Sequence, residues 1–142
     1  MAGLRSNHVI MLRRAVQATT ACWQERITEI TPPQYTVLLA LESSPQSSLT
    51  EVTAMTMIDS ATLTPLVSRL VERGLLTRAT DPASARRKLL SLTDEGAAVL
   101  KKVKPRARAA EKASLEVLSA DEREQLLRLT TKIVDHHRGW NA

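Results

Sequence analysis

Between Asp59 and Gly96 the chain reads DSATLTPLVSRLVERGLLTRATDPASARRKLLSLTDEG, and this order restricts the fold more than any other part of the sequence. Asp59 or Ser60 as a cap, apolar residues at helical spacing and Gly74 as a stop predict a helix over 59–73. Leu75 to Ala79 is too short for another helix and reads as a strand; Leu90 and Leu92, alternating with Ser91, read as its half-buried return. The connection begins with the turn residues Asp81 and Pro82 and holds Arg86, Arg87 and Lys88, so a wing over 80–89 should carry its basic cluster in the loop. A helix of this kind can lie in a major groove while a basic hairpin reaches the backbone or the minor groove.

Charge is distributed accordingly. The 20 Lys plus Arg and 15 Asp plus Glu leave a net +5, and residues 60–108 hold 11 basic and 4 acidic side chains against 9 and 11 elsewhere. Positive charge gathered around the hairpin suits a polyanion, although a solvated basic face would read the same way. At 142 residues one domain over 1–142 is expected. Cys22 is alone, which excludes an intrachain disulfide or a cysteine-based metal cluster. The N-terminal MAGLRSNHVIMLRRAV places arginines inside its apolar run, unlike a signal peptide, and no stretch approaches the ~20 apolar residues of a membrane span. A cytoplasmic protein without membrane contact is the expectation. The aromatics are Trp23, Tyr35 and Trp140 with no Phe, too few for single-strand binding on stacked rings.

The remaining segments read as helices. From Leu4 to about Glu29 there is no Gly or Pro, and His8, Leu12, Val16, Thr19, Trp23 and Ile27 share one face, which predicts a single long amphipathic helix. Thr31 before Pro32 and Pro33 is a start signal for a second helix ending near Ser43 to Pro45. Ser48 and Glu51 form a capping box for a short third helix, LTEVTAMT, and Met57 and Ile58 make the turn into the helix from Asp59. Pro65 should bend that helix slightly or delay its start. Thr93 caps a helix from Asp94, bent at Pro105, and Ser119 with Glu122 opens a final helix whose apolar face holds Leu126, Leu129 and Ile133.

These residues resemble the MarR family of winged helix-turn-helix bacterial regulators. The wing signature of that family is Asp, any, Arg, three residues, Leu, any, Leu, Thr, two residues, Gly; Arg86, Leu90, Leu92, Thr93 and Gly96 match it in register, with Ser84 at the Asp position. The resemblance covers almost the whole chain. It implies a mainly α fold with a small β-hairpin wing, a DNA-binding lobe over 31–92, and dimerisation through helices over 4–29 and 94–138. The partners implied are double-stranded DNA with a pseudo-palindromic operator, half-sites about one helical turn or roughly 34 Å apart, and a second copy of the chain. Matching positions put Ser60, Ala61, Thr62, Thr64 and Ser68 on the exposed face of the recognition helix and Arg69 near the backbone. Arg86 is expected in the minor groove, and Arg87 and Lys88 on phosphate. The Asp of the signature usually braces the wing arginine, so with Ser84 the brace must be weaker or come from elsewhere.

ITPPQY and DSATLTPL look especially like the organic-hydroperoxide-sensing branch, yet Leu4 to His8 lacks the reactive Cys of that branch. Oxidation sensing would then fall to Cys22, although a lone Cys on an amphipathic helix is more often a buried small hydrophobe than a redox switch. The usual effector in the family is a small aromatic or phenolic acid. Candidates to hold it are His8, Met11, Leu12 and Ala15, with Arg13 or Arg14 for a carboxylate; each also fits a core, surface or dimer-contact role. Adjacent His136 and His137 do not make a paired metal site, and no cofactor, metal or enzyme motif is evident. A sequence-specific regulator released by such an acid is the leading expectation. A winged-helix module that binds protein and not DNA is the rival.

Overall fold

Two local hydrogen bonds divide what periodicity predicts as one helix. Helix α1 (Ala2–Arg5) closes where the Ser6 hydroxyl donates to the Gly3 carbonyl, and α2 (His8–Gln24) starts where the Asn7 side chain accepts the Ile10 N–H at 3.0 Å. An Asn cap offers the backbone an alternative to continuing the preceding helix, and apolar spacing does not record it. Helix α2 also ends at Gln24, short of Glu29. The Trp23 carbonyl accepts N–H groups from both Arg26 and Ile27 at 2.9 Å, and the indole N–H donates to the Ile30 carbonyl at 2.9 Å. That turn carries Ile27 and Ile30 into the core. The computed structural model describes residues 2–137; the end of the predicted 94–138 segment and Trp140 lie outside the described residues.

The later start signals all form. Thr31 and Gln34 make a capping box at α3 (Pro32–Ser43). β1 (Ser47–Ser48) leads into α4 (Leu49–Thr56), where Ser48 and Glu51 make a second box. A turn through Met57, held in the left-handed region at φ 58, leads to α5 (Ser60–Glu72), whose cap is Asp59. The hairpin is β2 (Leu76–Asp81) and β3 (Ser84–Leu92). Thr93 caps α6 (Asp94–Leu115), and a Ser119–Glu122 box opens α7 (Ala120–His136). Neither proline divides its helix: α5 starts at Ser60 and runs through Pro65, and α6 runs through Pro105. Both lie on exposed faces, where water can satisfy the freed carbonyls of Ala61 and Lys101.

The strands pair antiparallel in the order β1-β3-β2. β1 is too short to show alternation and was not foreseeable by period. Its partners are Leu90 for Ser47 and Leu89 for Ser48. The basic cluster is not in the loop: only Pro82 and Ala83 separate the strands, and Arg86, Arg87 and Lys88 belong to β3. Pairing continues through Thr80 with Lys88 and, past a bulge, Asp81 with Ser84, while the Ala83 N–H donates to the Asp81 carboxylate at 2.9 Å.

The core gathers Val37, Leu38 and Leu41 of α3, Val52 of α4, Leu63, Val67 and Leu70 of α5, Leu90 of β3, and Leu100 and Val103 of α6. The outer helices take little part. α2 buries only Trp23, and α7 buries no residue. Val9, Met11, Leu12 and Val16 of α2 and Leu127, Leu129, Ile133 and Val134 of α7 stand exposed.

Candidate nucleic-acid interface

The wing is seated by the residues that complete its signature. Gly74, at φ +73, lets the Leu75 N–H reach back to the Leu70 carbonyl at 2.9 Å and end α5. The Thr93 hydroxyl donates to the Gly74 carbonyl at 2.6 Å and also accepts the Gly96 N–H at 2.9 Å, joining the end of α5 to the start of α6. Gly96 is there for space, since a Cβ on it would stand 2.0 Å from the Leu75 carbonyl oxygen. Hairpin and α5 therefore leave the core from one hydrogen-bonded junction.

Helix α5 turns Leu63, Leu66, Val67 and Leu70 inward. At 100° per residue the centre of the opposite face is held by Ala61, Pro65 and Ser68, with Ser60 and Thr64 at one margin and Thr62 and Arg69 at the other. Ser68 is half-buried and the others are exposed. Two hydroxyl protons are committed within the helix: Thr62 donates to the Asp59 carboxylate and Thr64 to the Ser60 carbonyl, both at 2.8 Å. These threonines therefore face outward as acceptors and methyl groups, a narrower repertoire than their sequence suggests. The Thr62 hydroxyl and N–H hold the Asp59 carboxyl below its ordinary range. Pro65 stands at the centre of the exposed face, a position that its sequence signal, a missing backbone donor, does not mark.

Along the wing the three basic residues are not equivalent. The Arg86 side chain is exposed and makes no hydrogen bond or ion pair with the described residues. Arg87 donates to Glu51 at 2.8 Å and lies 3.6 Å from Asp81. Lys88 donates to the Thr80 hydroxyl at 2.7 Å. With Thr50, Thr64 and Arg78 the three line a concavity of about 520 Å³ between wing, α4 and α5. Thr50 and Arg78 were missed by motif matching, since nothing in their local sequence marks them.

A second cluster ties this lobe to the outer helices. Arg106 of α6 grips Glu29 at 2.6 and 3.1 Å, and Arg73, just past α5, donates to the Glu29 carbonyl at 2.7 Å. The Arg106 hydrogen bond is the main reason that the Glu29 carboxyl falls to about 2. Nearby, a cavity of about 270 Å³ opens between α2, α3 and α6, lined by Trp23, Tyr35, Arg108 and Ser114. Burial is the main reason that the Tyr35 phenol is pushed up, which keeps it neutral and able to donate. Through Thr19, Glu111 and Leu115 this cavity meets a groove of about 550 Å³ that Leu12 and Ala15 line with α7. His8, Met11, Arg13 and Arg14 lie exposed on the same helix, and Cys22 is half-buried beside Trp23. Trp23 and Tyr35, whose ring centroids are 5.1 Å apart, come together only through the α2–α3 turn.

A profile of the MarR family matches residues 28–87. The chain is 33% identical to the transcriptional regulator HosA of Escherichia coli over 93% of its own length and 98% of that protein. It is 35% identical to the transcriptional repressor NicR of Pseudomonas putida over 88% and 80%. Among solved structures it is similar to the PcaV regulator of Streptomyces coelicolor in complex with its natural ligand, at 35% identity, TM-score 0.87, and 93% and 94% of the two chains. It is also similar to Bordetella bronchiseptica BpsR, solved to explain how 6-hydroxynicotinic acid regulates DNA binding, at 33% identity, TM-score 0.87, and 92% and 94%. A third neighbour is the repressor CouR bound to a 23-mer DNA duplex, at 28% identity, TM-score 0.83, and 92% and 94%.

Proposed function

The chain belongs to the MarR family of winged helix-turn-helix transcriptional regulators, and from that premise we propose that it is a homodimeric repressor that binds a pseudo-palindromic operator and leaves it when a small aromatic acid binds. The observation that carries the DNA half of this reading is the uncommitted guanidinium of Arg86 on a wing beside the exposed face of α5. A narrow A·T-rich minor groove attracts such an arginine, while the α5 face offers Ala61 and threonine methyls to thymine and hydroxyl oxygens to base donors. Likeness to a neighbour solved on duplex DNA supports the same reading.

The dimer is supported by the apolar faces of α2 and α7, which a lone chain leaves in water. Pairing those faces between copies fixes the spacing of two recognition helices, as half-site recognition requires.

The effector is read from the cavity of about 270 Å³ and its continuation along α2. Trp23 and Tyr35 provide flat apolar walls and Tyr35 a phenol donor; Arg108 provides a guanidinium for a carboxylate, whereas Arg13 and Arg14 are exposed and line neither the cavity nor the groove. Leu12 and Ala15 line the adjoining groove, with His8 and Met11 on the turns before them. An acid bound there weakens DNA binding only by favouring the arrangement that does not fit the operator.

The test is a fluorescence-anisotropy titration against the promoter DNA beside the gene, with scrambled duplex as competitor and salt varied. A preference of ~10³-fold or more, relieved by a benzoic or hydroxynicotinic acid, is the expected result. No binding to any duplex at low salt would overturn it and leave the protein-interaction module as the better reading.

A further inference from the structure

We propose that Glu51 and Arg87 form a strut that sets the posture of the wing against α4, which makes Arg87 a positioning residue for DNA binding and leaves the groove contact to Arg86. The inference rests on the DNA-binding reading above and concerns how the wing is held for it.

The pairing between β1 and β3 ends at Ser48 with Leu89. Beyond that rung the β1-facing edge of β3 has no strand beside it, and a two-stranded projection of this kind is free to twist and swing. The next tie to the body of the protein is Arg87, two residues along β3, whose Nη2 donates to Glu51 Oε2 at 2.8 Å across 36 positions of sequence. Glu51 is itself immobilised at the start of α4. The same Oε2 accepts the Ser48 N–H at 2.7 Å and the Ser48 hydroxyl at 2.9 Å, and the Ser48 hydroxyl oxygen accepts the Glu51 N–H in return. Asp81, on the neighbouring strand 3.6 Å from Arg87 Nε, holds the guanidinium from its other edge. The guanidinium is thus fixed between the first helix of the helix-turn-helix and the far strand of the wing. Ser84 stands where the wing signature has Asp, and among the described residues it supplies no side-chain bond to either arginine. Glu51 and Asp81 therefore brace a different arginine, from a different side.

The role can be tested by sign. Glu51 lies at the margin of a surface that would face phosphates, so by charge alone its removal should strengthen DNA binding and steepen the salt dependence. A strut predicts the opposite. Glu51→Gln keeps the acceptor that caps α4, because Gln serves in capping boxes as Glu does, and removes only the charge that holds Arg87.

The experiment combines operator titrations at several salt concentrations with hydrogen exchange of the free dimeric protein, using Glu51→Gln, Arg87→Gln and the double variant, all checked for native circular dichroism. For a strut half exposed to solvent, each single variant should lose about 2- to 5-fold in affinity, and the double variant no more than either one. Salt slopes should stay unchanged, and the amides of residues 84–88 should exchange faster. Equal or tighter binding by Glu51→Gln, a slope reduced by about one in Arg87→Gln, or additive losses would overturn the proposal and return Arg87 to the phosphates. If the parent protein binds no duplex the functional reading fails, and exchange alone then decides the strut: unchanged protection of residues 84–88 in Glu51→Gln would refute it.

Discussion

Arg86, Arg87 and Lys88 are interchangeable as sequence and distinct as structure. Arg86 is unengaged, Arg87 is held by Glu51 and Asp81, and Lys88 is bonded to Thr80. Arg86→Ala should therefore weaken operator binding by about 1–3 kcal/mol and lower the salt slope by about one, read from anisotropy titrations at three or more salt concentrations. Unchanged affinity would show that Arg86 does not enter the groove. Gly96 makes a second prediction at this scale. An added methyl would overlap the Leu75 carbonyl, which is backbone and held at the junction by the Thr93 N–H at 3.1 Å. Gly96→Ala should cost about 1–3 kcal/mol or more, seen as a lower urea midpoint, whereas Ala at the open Gly3 should cost almost nothing. The motif matched Gly96 without its reason, which is the distance to a carbonyl 21 positions earlier.

Among the elements, the caps were readable and the junctions were not. Thr31, Ser48, Thr93 and Ser119 announce their helices because a cap and its target amide lie within three residues. The interruption at Asn7 uses the same chemistry and was masked by an apolar face that continues across it. The link between the α2–α3 turn and α6 depends on Glu29 and Arg106, which no local pattern joins. That link carries a pH signature. The folded Glu29 carboxyl titrates at about 2 against an ordinary 4.5, and Glu51 does likewise, chiefly through the Ser48 N–H. Both are depressed, so the stabilisation they give is complete above about pH 4.5 and is lost as pH falls toward 2. Thermal melts should fall over that window. Glu29→Gln should flatten the fall and lower the melting temperature near neutrality; an identical acid profile would mean that solvent screens the pair.

At the scale of the whole molecule the deciding feature is what the chain leaves uncovered. α7 buries nothing and yet presents Leu126, Leu129 and Ile133 on the face its sequence predicts, beside exposed Leu12 and Val16 of α2. Burial of such side chains contributes about 1.5–3 kcal/mol each, and the proposed dimer provides it. Ile133→Asp or Leu129→Asp should give a monomer by light scattering and weaken operator binding by 10-fold or more, since the two half-sites would no longer be bound as one unit. A variant that stays dimeric with full affinity would place the interface elsewhere.

From Thr31 onward, sequence alone determined the order of helices and their caps, and it also determined the hairpin and the family, because each of these rests on contacts between residues a few positions apart or on a motif in fixed register. Tertiary structure decided which basic residue is free and which is a brace, where α2 stops, and that Trp23, Tyr35 and Arg108 share one cavity. Those facts depend on groups brought together from distant parts of the chain, and the distance between Glu51 and Arg87 exists only once α4 and the wing have packed on the same core.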